Sequence, residues 1–302
     1  MKWSVRLFTV KGVTLWLHIT LLLFVAWLLV LFVATGMQVQ QLVWSFLFLA
    51  GLFGSILLHE YGHAIVAAQY GIYAKNITLY PVGGIASLEK LPEHPRQELL
   101  ISAAGPVINF VIAALCWLFS SQQPYSESYA AFTGEINSAN FFSLLGMANL
   151  ALAVFNLIPA FPLDGGRLLR AVLAFWFNYI KASGIVAVIS KAVAAFFIVY
   201  GLGTLSFLFS LVGFFILIFS QAEEAYLQLK KLVEGYTVRE MLMYDYDSMD
   251  ANQTVQEVIP ILQTNHHKYF ILMANGQPVG TLDRMAVIKA LASQNYGDSV
   301  AS

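Results

Sequence analysis

Residues 46–68 read FLFLAGLFGSILLHEYGHAIVAA, an apolar run broken by His59, Glu60 and His63. On a helix, residues four apart lie one turn above each other, so His59 and His63 can present two imidazoles to one metal ion. Glu60 stands beside that pair, placed to take a proton from water rather than to ligate. An ionisable residue at the centre of a bilayer costs about 2.5–3.5 kcal/mol on insertion scales. Three such residues within five positions of an apolar span therefore need a reason. The bland alternative is a pair of core histidines hydrogen-bonded to a buried glutamate.

The surrounding composition supports a membrane setting. Of 302 residues, 59% are hydrophobic and only 11% charged, with a mean hydropathy of +0.70. A soluble domain would carry about a quarter charged residues. The net charge of −1 gives no basic footprint, and nucleic acid is not an expected partner. Cys116 is the single cysteine, which excludes an internal disulfide and a cysteine metal site. Apolar runs of spanning length occupy about 13–34, 43–70, 99–119 and 141–160, and a longer one, 184–220, is interrupted by Gly201-Leu202-Gly203-Thr204. Folded there, it makes two short spans, for six helices in all. The run from Val13 is too long for a signal peptide's apolar region and reads as a retained first span. Lys2, Arg6 and Lys11 precede span one; Lys75, Lys90 and Arg96 follow span two; Arg167, Arg170 and Lys181 follow span four; Lys230 and Lys231 follow span six. The alternate loops 36–42, 121–139 and 201–204 hold no lysine or arginine. The positive-inside rule then puts both termini in the cytoplasm of a multi-pass protein of the cell (inner) membrane. Lys191 fits least well and is read as snorkelling from span five.

Three further stretches stand out. Residues 74–88 place two short β-branched segments around Pro81-Val82-Gly83-Gly84, a hairpin or re-entrant signal. Gly105-Pro106-Val107-Ile108-Asn109 suits close helix packing, with Asn109 hydrogen-bonding across an interface. Span four runs into Asn156-Leu157-Ile158-Pro159-Ala160-Phe161-Pro162-Leu163-Asp164-Gly165-Gly166-Arg167. Alone, Asp164 is legible as a cap or turn residue after a broken helix. A catalytic zinc, however, usually has three protein ligands and one open position. The histidine pair supplies two, which makes Asp164 the candidate third. His18 and the His266-His267 pair read as packing and loop residues.

HEYGH, then ITLYPVGGIASLE, AAGPVINF and NLIPAFPLDGGR, in that order over roughly residues 10–220, closely resemble the intramembrane site-2 metalloproteases. The resemblance implies one zinc ion per chain held by His59, His63 and Asp164, with Glu60 as catalytic base. It implies that Asn156 and Pro162 lie beside the substrate, and that the hairpin with Gly83 and Gly84 helps present it as an extended strand. The expected substrate is a transmembrane protein cleaved within the bilayer, such as a membrane-tethered transcription regulator. From about residue 226 the composition turns polar, and 236–295 resembles a single cystathionine-β-synthase-type (CBS) repeat. The domains expected are therefore 1–225, a six-helix transmembrane protease with a re-entrant β-hairpin, and 226–302, a small cytosolic α/β domain. Single repeats of this type pair, and an apolar strand face including Phe270, Ile271 and Leu272 points to a homodimer through this domain. Asp283 and Ala286 depart from the nucleotide-binding pattern, which leaves ATP doubtful. Two other readings stay open: a CBS-regulated metal-ion transporter, and a catalytically silent relative that binds membrane segments.

Overall fold

The first apolar run does not begin as a helix. In the computed structural model, Val13–His18 is strand β2, antiparallel to β1 (Ser4–Val10) and parallel to β3 (Ala74–Tyr80). Helix α1 covers only Ile19–Ala34, so the span expected from Val13 is corrected to begin at Ile19. The segment VTLWLH is rich in β-branched and aromatic residues, which suit a pleated surface, and hydropathy alone does not separate a buried strand from a buried helix. His18 caps α1, its Nδ1 accepting from the Thr20 N–H at 3.3 Å while its ring packs 4.7 Å from that of Tyr80.

The structure describes residues 3–10, 12–81, 83–89, 92, 94–120, 136–233, 237–241, 246–264 and 267–292. The chain divides into two compact units, 1–232 and 233–302. Val82, Lys2, Lys11, Lys90, most of the 121–139 loop and His266 lie outside the described residues, as do the side chains of Lys230 and Lys231.

In the first unit β4 (Gly83–Leu88) returns antiparallel on β3, giving a four-stranded sheet in the order β1-β2-β3-β4. Leu15, Leu21, Ile77 and Leu79 form its buried core, against which Phe53, Leu57 and Tyr61 of α2 (Val39–Gln69) pack. The helices α3 (Pro95–Phe119), α4 (Phe141–Asn156), α5 (Asp164–Leu173), α6 (Tyr179–Gly203) and α7 (Phe207–Val233) complete this unit. Among the described residues, α2, α3, α6 and the Phe207–Tyr226 part of α7 are long and apolar enough to cross a membrane. The other apolar helices, α1 and α4, have 16 residues each. The last long run breaks after Gly203, with Leu205 at φ 53°, but its helices extend well past the apolar stretch on both sides. Lys191 is not a lone snorkelling residue: its Nζ donates to Glu224 Oε2 at 2.6 Å, joining α6 to α7. Asn109 is buried, yet its Oδ1 has no hydrogen-bond partner among the described residues. The interhelical amide bond belongs instead to Asn149, whose Nδ2 donates to Ser55 Oγ at 3.1 Å.

In the second unit β5 (Ser248–Asp250) runs parallel to β6 (Tyr269–Ala274), and β7 (Gln277–Asp283) runs antiparallel to β6. Asn275 and Gly276, at φ 52° and 77°, make the turn between β6 and β7, as a two-residue primed turn requires. Helices α8 (Ile259–Thr264) and α9 (Arg284–Ala292) accompany the sheet. Phe270 and Leu272 are already covered within one chain, by Met249, Val255, Val258, Leu262 and Val287. The expectation that they need a second copy is corrected. Alternation along β6 sends Tyr269 and Ile271 to the other face, where Tyr269 is exposed. Phe270→Ala should cost about 3–5 kcal/mol, read in the full-length protein as lost deuterium-exchange protection across β6 and β7. Unchanged protection would contradict Phe270 as the centre of this core.

Candidate metal centre

The imidazoles of His59 and His63 come from successive turns of α2, with ring centroids 4.8 Å apart and planes at 82°. Their Nε2 atoms stand 3.2 Å from each other. Asp164 Oδ2 lies 3.1 Å from the first and 3.2 Å from the second. The result is a nearly equilateral triangle of ligand atoms. Ligands about 2.0 Å from a common centre, at tetrahedral angles, are separated by about 3.3 Å. His59, His63 and Asp164 are also nearly buried, at 6, 9 and 9% exposure. Three donors of this type, so spaced, fit a divalent cation of the zinc class.

Neighbouring backbone supports His63 and Asp164. His63 Nδ1 lies 2.6 Å from the Ile101 carbonyl on α3; donating there leaves Nε2 with its lone pair toward the triangle. His59 Nδ1 has no such partner among the described residues. Helix α3 passes so close that a Cβ at Gly105 would fall within 2.6 Å of both His59 Nε2 and His63 Cε1. Gly105 was legible in the sequence only as a packing glycine, because contact with a site 42 residues away along the chain leaves no local pattern. Asp164 opens α5, in the first turn where the helix dipole favours a carboxylate. The glycines after it let that helix press on the preceding loop; a Cβ at Gly166 would sit 2.7 Å from Ala160 C and Phe161 N.

Glu60 follows His59 on α2 and faces the sheet. A Cβ at Gly84 would meet Glu60 Oε1 at 3.4 Å, so the start of β4 lies over that carboxylate, with Gly83 as its first residue. Asn156 ends α4, and Pro162 lies two residues before Asp164 in the α4–α5 connection; both are half-buried. Gly105→Ala should push a methyl group into the imidazole pair. On the order of a 10-fold loss of metal affinity is expected, measured as metal per chain by mass spectrometry across a chelator series. Wild-type retention would show that α3 yields at this point.

Residues 47–200 match the model of peptidase family M50. A zinc metalloprotease of Methanocaldococcus jannaschii is 32% identical over 284 residues, spanning 93% of this chain and 78% of its own. Stage IV sporulation protein FB of Bacillus subtilis is 27% identical over 128 residues, spanning 42% of this chain and 40% of its own. The solved site-2 protease from Methanocaldococcus jannaschii superposes with a TM-score of 0.52 at 34% identity, over 74% of this chain and 95% of that one. With its paired histidines, converging aspartate and apolar helices, the chain belongs to peptidase family M50.

Proposed function

We infer that this chain is an intramembrane zinc metalloprotease, hydrolysing peptide bonds in or near transmembrane segments of tethered substrates. The carrying observation is the triangle formed by two imidazole nitrogens and one carboxylate oxygen, in a chain of apolar helices. His59, His63 and Asp164 would hold one zinc ion. When bound, zinc lowers the pKa of water toward about 7 and polarises the scissile carbonyl. Glu60 takes the proton released as water attacks and returns it to the departing amide nitrogen. Ile101, by accepting from His63 Nδ1, keeps that ring in one tautomer and orientation throughout.

A helical substrate must expose a carbonyl before it can be cut, since its C=O groups are engaged within the helix. Strand β4 has no neighbour beyond it among the described residues and starts above Glu60. An unwound substrate segment added along that edge would be extended and held by main-chain hydrogen bonds. Gly83 leaves room for it, Gly84 lets the strand close on Glu60, and Asn156 and Pro162 would border the other side.

The six-span reading takes α1, α2, α3, α4, α6 and α7 as the membrane helices, with both termini on the cytoplasmic side of the cell (inner) membrane. Residues 1–225 would form the protease and 226–302 a CBS-type domain. The apolar side chains exposed on the second unit, Tyr269, Val279, Met285 and Ile288, are the surface through which a homodimer would form. Light scattering of the solubilised protein should therefore give the mass of two chains, reverting to one in Val279→Glu/Met285→Glu.

Glu60→Gln should abolish cleavage, with membrane stubs of the natural substrate accumulating by mass spectrometry, while zinc content stays near one per chain. Asp164→Asn should lower both cleavage and zinc content. Equal zinc loss in the two variants would make Glu60 a ligand instead of the base.

A further inference from the structure

Arg170 lies on α5 six residues after Asp164 and is 2% exposed. Its Nε–H donates to Glu98 Oε1 at 2.8 Å, and its Nη2–H reaches the same oxygen. Its Nη1–H donates to Glu223 Oε1 at 2.7 Å. The rings of Phe161 and Tyr179 lie 5.0 and 4.8 Å from its central carbon. A planar guanidinium with two carboxylates on its fork and aromatic rings beside it is held in one orientation.

The partners come from separate elements, and two of them, Glu98 and Phe161, lead to the metal centre. Glu98 is one turn before Ile101 on α3, and the Ile101 carbonyl holds His63. Phe161 belongs to the loop that delivers Asp164, and its N–H donates to Ser190 Oγ on α6 at 2.8 Å. Glu223 sits on α7, the last helix of the first unit. Burying an ion pair removes both charges from water, and a well-packed apolar replacement is often at least as stable. Stability alone is therefore a weak reason for this cluster. Fixing the geometry of the elements it joins is a better one.

We propose that Arg170 is a positioning residue through which the seating of α7 sets the geometry of the metal centre. Glu98 carries the constraint to the turn that orients His63; α5 itself carries it to Asp164; Glu223 ties both to the last helix. The proposal rests on the zinc-binding role given above to His59, His63 and Asp164. Glu224, the next residue on α7, supplies a control, because it pairs with Lys191 and not with Arg170.

The test compares full-length wild-type, Glu223→Gln, Arg170→Lys and Glu224→Gln proteins in detergent. Three quantities are read: the rate of zinc release to excess chelator, the kcat and KM on a tethered reporter substrate, and the thermal unfolding midpoint. Glu223→Gln should keep its zinc stoichiometry and midpoint, release zinc on the order of 10-fold faster, and lose kcat by a similar factor with KM unchanged. Arg170→Lys, which keeps the charge but loses the fork, should release zinc at least as fast. Glu224→Gln should match wild type. Wild-type release and kcat in Glu223→Gln would overturn the proposal. So would an equal loss in Glu224→Gln, which would assign the effect to helix docking in general. Wild-type protein that holds no zinc would overturn the metalloprotease reading and this proposal together.

Discussion

Three polar atoms within 3.2 Å of one another, in the interior of a chain with few charges, set the terms for the first unit. Buried nitrogen and oxygen lone pairs that face each other have given up water, and a shared cation is the economical way to satisfy them. Holding them so close requires backbone where side chains would normally be. Helix α3 runs against the imidazoles at Gly105, and α5 lies against its own leading loop at Gly165 and Gly166. The peptide carbonyl of Ile101 then serves as the outer support of His63.

The parts of this site visible in the sequence were those with a local period. His59 and His63 are one helical turn apart, and Asp164 sits in a Pro- and Gly-marked break, so each carries its own signature. The β3–β4 hairpin was legible for the same reason, from β-branched segments on either side of Pro81. What was not legible depends on partners far along the chain. The strand Val13–His18 looks like the start of a helix until β1 and β3 are there to pair with it. Phe270 and Leu272 looked uncovered only because the residues that cover them, Met249, Val255 and Val287, come from three other segments.

Charge shows the same limit more sharply. By position in the chain alone, Arg170 reads as a cytoplasmic charge and Lys191 as one within a span. In the structure, Arg170 is almost fully buried against Glu98 and Glu223, and Lys191 is paired with Glu224. Two adjacent acids on α7 thus reach two different helices. That arrangement gives the last helix two separate ties to the body of the first unit, and the one through Arg170 reaches Glu98, one turn from the carbonyl that holds His63.

The sheet presents the remaining constraint. A strand with one unpaired edge exposes a row of N–H and C=O groups, which natural sheets usually cover, shorten or block with charge. Strand β4 is short but lacks a lysine or a proline, and its sequence, Gly-Gly-Ile-Ala-Ser-Leu, carries no charge. In the re-entrant arrangement proposed for this hairpin, such an edge is costly until something pairs with it, because lipid offers no hydrogen bonds. The same groups are what an unwound substrate segment lacks once its own helix is opened. Each side's unsatisfied backbone is then the other's partner. In the proposed mechanism, the free energy of unwinding the substrate is offset at the strand edge that lies over Glu60.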